Sequence, residues 1–299
     1  MPLTSRPFEK DEFARLCSFL GEVRPVINHN HYLHVGDLSW QLFHMLADYN
    51  PSDLIRLWQD EQDRLLGFAL AYPAFGGFEL QVHPAARQLE LEREMFNWVQ
   101  SQITHLNNDC ATLYTLVNQY DTLRVDLLEA ENFQPVGDWL YMQRSLATPL
   151  PLPQVPPAFS VSDMTAVDFA SRATALADAF DAPPRPQLYQ QFMNAPGYDP
   201  TLDIVTIDLG GQVASFAMCW VDALSKDGQF EPVGTRPQFH RQGLSKATLL
   251  EGMRRMRERG MQNVIVIVEA AEEPACHLYK SLGLETRWTI RQYRKTLAK

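Results

Sequence analysis

Apolar residues recur along the chain at two spacings, every third or fourth position and every second, and the alternation of the two predicts an α/β protein. Helical spacing is found near Glu9 to Leu20, Leu38 to Ala47, Gln88 to Ile103 and Asp121 to Ala130. It returns near Asp163 to Phe180, Gln187 to Met193, Leu244 to Arg259 and Pro274 to Leu282. Strand-like stretches lie between them: Leu54 to Trp58, Arg64 to Tyr72, Phe78 to Pro84, Ala111 to Val117 and Trp139 to Ser145, then Leu202 to Ile207, Gln212 to Val221, Phe230 to Pro237, Asn263 to Val268 and Trp288 to Arg294. The order is the same in both series, which marks an internal repeat. Leu127-Leu-Glu-Ala-Glu-Asn-Phe133 parallels Leu278-Tyr-Lys-Ser-Leu-Gly-Leu284 near the two ends. Between the series lies Ala147 to Pro157, whose five prolines exclude a helix and favour an extended connector. The expected architecture is two copies of one α/β (α+β) domain, each a mixed, mostly antiparallel sheet flanked by helices. The expected bounds are 1–147 and 158–299, with a linker at 148–157.

Composition narrows the function. A chain of 299 residues, 45% hydrophobic and 21% charged, can bury two ordinary cores. No apolar run is long enough to span a bilayer, and the N-terminus has no apolar signal-like stretch, so neither a membrane partner nor secretion is expected. The four cysteines stand apart and suggest neither disulfides nor zinc; a cytoplasmic protein is expected. A formal net charge of −10 argues against a nucleic-acid partner.

The stretch Phe230 to Met256 carries the chemistry. A strand stops at Pro237, a polar turn follows (His240-Arg-Gln-Gly-Leu-Ser245), and a helix begins with Leu244, Ala247, Leu250, Met253 and Met256 on one face. The free N–H groups and dipole of a helix N-terminus favour an anion. Gly243 lets a phosphate approach the backbone, while Arg241 and Lys246 add positive charge. A diphosphate suits such a turn.

This segment resembles motif A of the GNAT superfamily, the Gcn5-related N-acetyltransferases, with His240, Gly243 and Ser245 at its three named positions. His and Ser there depart from the family's Arg/Gln and Gly/Ala. A second feature, Ala275-Cys-His-Leu-Tyr-Lys-Ser-Leu-Gly-Leu284, is similar to the family's Asn-x-x-Ala-x-x-Leu-Tyr-x-x-x-Gly-Phe, although Glu272 replaces its Asn. The resemblance is specific over roughly Gln212 to Leu297 and architectural before that. It implies acetyl-CoA as cosubstrate, held by Val233, Gly234, Thr235, His240, Arg241, Gln242, Gly243, Leu244, Ser245 and Lys246, and an amine-bearing acceptor. It also implies Tyr279 as the acid that protonates the leaving thiolate, and a reaction that needs no metal. Glu231 is a candidate base for the acceptor amine, or equally a solvated strand residue. Backbone N–H groups near Val233 to Thr235 are expected to polarise the thioester carbonyl. A non-catalytic acyl-CoA-binding or sensor protein is the alternative.

Other patterns carry less. His29, His31 and His34 lack a carboxylate or Cys at zinc-like spacing and read as a loop. Cys276 and His277 are sequence neighbours on a helix and do not face each other. Arg254, Arg255, Arg257 and Arg259 read as a solvated face. The first half is expected to be degenerate, because Glu90 and Glu92 stand opposite Gly243 and Ser245 and would repel a diphosphate, while Leu128 stands opposite Tyr279.

Overall fold

In the computed structural model, which describes residues 3–26 and 31–297, both series of apolar residues form the same succession of elements, apart from one additional short helix, Pro51–Leu54, in the first. The first half runs β1 (Thr4–Pro7), α1 (Phe13–Val23), α2 (Val35–Trp40), α3 (Pro51–Leu54), β2 (Ile55–Gln59), β3 (Leu65–Tyr72), β4 (Gly77–Val82), α4 (Leu89–Leu106), β5 (Thr112–Asn118), α5 (Thr122–Ala130) and β6 (Gln134–Ser145). The second runs β7 (Phe159–Asp163), α6 (Phe169–Ala179), α7 (Pro186–Phe192), β8 (Asp203–Asp208), β9 (Val213–Val221), β10 (Asp227–Thr235), α8 (Leu244–Glu258), β11 (Asn263–Glu269), α9 (Glu273–Ser281) and β12 (Glu285–Thr296).

Two strands, β1 and β7, had no counterpart in the apolar pattern. Both lie at sheet edges and are only partly buried, so no alternation marks them. The helix expected from Asp163 starts instead at Phe169. The Asp163 carboxylate accepts from the Thr165 N–H at 2.9 Å and closes a turn there. The second helix, α2, runs on into a π-type turn, Gln41–Met45.

Among the described residues the strands join into one sheet, in the order β1-β2-β3-β4-β5-β12-β6-β11-β10-β9-β8-β7. Exchanging each strand for its counterpart in the other half reproduces this order reversed, so an internal twofold passes between β12 and β6. The pairing is antiparallel except for β4 with β5 and β10 with β11. The final strands are exchanged: β12 pairs with β5 of the first half, and β6 pairs with β11 of the second. At the centre the rings of Tyr141 and Trp288 stack at 4.1 Å between centroids.

Helices cover both faces of the sheet, and β9 shows how. It is buried along most of its length. Ala217 and Cys219 pack with Leu249, Leu250 and Met253 of α8. The alternate residues Phe216, Met218 and Trp220 pack with Tyr189 and Phe192 of α7. Trp40 of the first half is buried in that second cluster. Gly36 of α2 lies so close to Trp220 that a Cβ there would come within 2.2 Å of the ring. The two halves therefore share core packing as well as strands.

Candidate active site

β10 and β11 run side by side only from Asp227 to Gln229, opposite Asn263 to Ile265. Beyond that the strands part. On its other edge β10 shifts register against β9 between Phe230 and Val233, where Pro232 has no N–H for the ladder. The opening thus begins at Glu231. A strand paired on one edge only points alternate N–H groups away from its partner. The stretch Val233, Gly234 and Thr235, paired with Ala217, Phe216 and Ser215, therefore presents backbone N–H to the gap.

The turn after β10 leaves the N-terminus of α8 open. Arg236 fixes its start, donating its N–H to the Ala214 carbonyl at 3.0 Å and pairing with Asp178 at 2.7 Å. His240 turns back, its ring 2.9 Å from the Thr235 carbonyl. Arg241 and Gly243 both have positive φ, 64° and 79°. Gly243 caps α8, and no side chain reaches the first-turn N–H groups from that position. Nothing lies within 4 Å of where a Gly243 Cβ would sit, so the space above the helix N-terminus is open. Arg241, Gln242 and Lys246 are exposed around it, and Leu244 is buried as the anchor. Ser245 faces inward. Ser215 donates to the Gly234 carbonyl at 3.0 Å, and Thr235 donates to Ser215 at 2.7 Å. Ser245 is therefore the donor in its 2.6 Å contact with Thr235. The residues present fit a diphosphate: unpaired N–H groups, a positive helix end, two cations, and a glycine where a side chain would intrude.

Tyr279 and Glu231 lie near enough for the Glu231 charge to act on the Tyr279 phenol. Tyr279 of α9 is 6% exposed and packs in one cluster with Phe230, Val268 and Cys276. Burial, and then the nearby Glu231 charge, hold its phenol well above the usual range. Burial, reinforced by the Asp37 carboxylate, pushes Glu231 up to about 8. Glu231 is half-buried rather than solvated, and no described residue donates a hydrogen bond to its carboxylate. It lines a cavity of about 480 Å³ together with Trp40, His44 and Phe75 of the first half and Leu176, Phe180 and Tyr189 of the second. A neighbouring cavity of about 410 Å³ shares Met45 and Phe75 with it and holds Glu79. Neither chamber is legible in the sequence, because its walls come from separate elements with no common motif.

The first half differs in a way the sequence did not anticipate. Glu92 does not stand at the mouth of a phosphate site. It is fully buried, paired with Arg87 at 2.6 Å and with Arg124. Arg87 in turn grips Asp121 at 2.7 Å. The gap between β4 and β5, paired only at Gly77 and Tyr114, is filled by protein. Tyr32 donates to the Val82 carbonyl at 2.6 Å, the Leu33 N–H donates to Gln81 at 3.1 Å, and Arg124 donates to the Leu80 carbonyl at 3.2 Å. A plug, more than repulsion, separates this half from its counterpart. Glu90 is exposed, and Leu128 is buried in the core.

The remaining sequence features fall into place around this. His29 lies outside the described residues. His34 is a helix cap: its Nδ1 accepts from the Gly36 N–H at 3.0 Å. Among the described residues no cluster of His, Cys, Asp and Glu is placed to hold a metal ion, and no helix is long and apolar enough to cross a membrane. His277 contacts the Glu273 carbonyl at 2.8 Å and Cys276 faces the Glu269 carbonyl, so the two form no pair. The basic run of α8 is solvated at Arg257 and Arg259, while Arg254 and Arg255 are half-buried. Arg255 pairs with Asp163, and Arg259 with Asp199, tying the helix to the end of β7 and to the segment before β8.

Residues 170–284, which contain this turn and its helices, match the model of the acetyltransferase (GNAT) family. The chain carries a GNAT-family domain. A mycothiol acetyltransferase from Thermobispora bispora is 29% identical over 160 residues, 50% of this chain and 54% of that protein. The chain thus spans about half the length of this curated relative. A GCN5-related N-acetyltransferase from Sphaerobacter thermophilus superposes with a TM-score of 0.69 at 18% identity, covering 98% of this chain and 95% of the other. A tandem GNAT protein from the clavulanic acid biosynthesis pathway gives 0.70 at 12% identity, covering 100% and 99%. Both coverages extend through the first half, so the fold is that of GNAT-like domains in tandem.

Proposed function

We propose that this protein is an acetyl-CoA-dependent N-acetyltransferase, with one active site in its second half and an amine as acceptor. The open space above Gly243, at the N-terminus of α8 and beside the parting of β10 from β11, carries the proposal. The cosubstrate supplies an acetyl group activated as a thioester. The first-turn N–H groups of α8, with Arg241 and Lys246, hold its diphosphate, and Val233 to Thr235 line the path toward Glu231. The Glu231 carboxylate takes the proton that the acceptor amine loses as its nitrogen bonds to the acetyl carbon. Tyr279 gives a proton to the sulfur as the carbon–sulfur bond breaks. A backbone N–H of Val233 to Thr235 donates to the thioester oxygen as charge gathers on it.

The proposed domains are 1–147 and 158–299, joined at 148–157. The first supplies β6, half of the acceptor chamber and a plugged cofactor gap. The four free cysteines suit a reducing compartment, and we place the protein in the cytosol. Titration calorimetry with acetyl-CoA, followed by thiol release with a panel of amines, tests the function. Binding without turnover of any amine would favour a sensor.

A further inference from the structure

We infer that the acceptor is an aromatic primary amine, its ring held between the two halves and its nitrogen at Glu231, an inference that presupposes acetyl transfer at that site. The chamber of about 480 Å³ is of a size that encloses a small molecule. Its walls are mostly apolar and aromatic: Trp40 and Phe75 from one half, Leu176, Phe180 and Tyr189 from the other, with Pro232 beside Glu231.

The charged and titratable groups on these walls are already engaged, with one exception. Arg185 is bound by both oxygens of Asp48, at 2.9 and 3.0 Å. The Tyr189 hydroxyl donates to buried Asp203. His44 lies flat on Trp40, with centroids 3.9 Å apart. Burial, and then the charges of Arg172 and Arg185, push its ring down to about 4, so it is neutral at pH 7. Glu231 alone offers a carboxyl group with no protein partner among the described residues. This chamber has one place for an amine and none for a second. An amino sugar would strand its hydroxyls against Leu176 and Phe180, and a polyamine its distal ammonium, and burying polar groups without partners is unfavourable. An aromatic ring meets the faces and edges of Trp40, Phe75, Phe180 and Tyr189 in the arrangements that rings prefer.

The test titrates phenethylamine, glucosamine and spermidine into the intact protein by calorimetry, and compares their acetylation by thiol release. Phenethylamine is expected to bind roughly tenfold or more tightly than either of the others and to have the highest kcat/KM. Phe75→Ala and Phe180→Ala remove rings that are 50% and 55% exposed, so both proteins should fold. Each should weaken phenethylamine several-fold, leave the weak binding of propylamine unchanged, and leave acetyl-CoA affinity unchanged. Equal or better binding or turnover of glucosamine or spermidine overturns the inference. So does absent phenethylamine binding, or phenethylamine that binds and is not acetylated while another amine is. Amine binding is read without acetyl-CoA, so a failure of acetyl-CoA to bind, which removes the function itself, shows separately.

Discussion

Ser245 donates its hydroxyl hydrogen bond to Thr235 across 2.6 Å, joining the first turn of α8 to the last residue of β10. The contact ties the strand edge that lines the gap to the helix end where we propose that the diphosphate binds. Thr235→Val keeps the shape and removes the hydroxyl, leaving Ser215 and Ser245 without their common partner. A loss of about 0.5–1.5 kcal/mol in stability is expected by denaturant unfolding. Acetyl-CoA affinity should fall by a similar factor, measured by calorimetry. Unchanged affinity would separate the contact from the cofactor turn.

Gly243→Glu should abolish acetyl-CoA binding in a protein that still folds. The residue holds a φ of 79°, and its Cβ would project into space that is open now and that the diphosphate needs. The added carboxylate would repel the ligand as well. Wild-type protein should bind about one acetyl-CoA per chain, because Tyr32, Leu33 and Arg124 fill the equivalent gap of the first half. Two equivalent sites by calorimetry would show that this plug gives way.

Tyr279→Phe should lower kcat by about 100- to 10,000-fold where chemistry limits the rate, with little change in acetyl-CoA affinity. The ring stays buried among Phe230, Val268 and Cys276, so the melting temperature should hardly move. A fall within about threefold would mean that another group protonates the sulfur.

The pH dependence of kcat/KM should report Glu231. Burial raises its carboxyl to about 8. Below that pH the group is mostly protonated and cannot accept the amine proton, so activity should climb as pH rises through about 8 and then level off. Glu231→Gln should lower activity and remove this limb. An unaltered profile in the variant would assign the rise to the amine itself.

The halves should not separate. β12 completes the first half against β5, and β6 completes the second against β11. A chain ending before Glu285 leaves β5 and β6 without the strand between them. It should lose cooperative unfolding in both halves, followed by circular dichroism. The intact protein should unfold in a single transition, and two well-separated ones would argue against the shared sheet.

The sequence alone determined the repeat, the connector and the glycine turn before α8, because each is local. Helical and strand periods depend on neighbouring residues, five prolines act through their own backbone, and a glycine before a helix is needed where it stands. Gly243 and the helix after it could be read for that reason. The edge strands β1 and β7 stayed hidden because half-buried strands show no alternation. Tertiary structure decided what depends on residues far apart in the chain. The exchange of β6 and β12 leaves the apolar pattern of each strand unchanged, since a strand offers the same alternating faces to either neighbour. Glu92 looked like a charge at a phosphate mouth until Arg87 and Arg124 closed on it. The raised carboxyl of Glu231 follows from its burial and from Asp37, which lies far from it in the chain. The chamber beside Glu231 exists only where Trp40 and Phe75 of one half face Leu176 and Phe180 of the other, a contact made by long-range packing that no local pattern encodes.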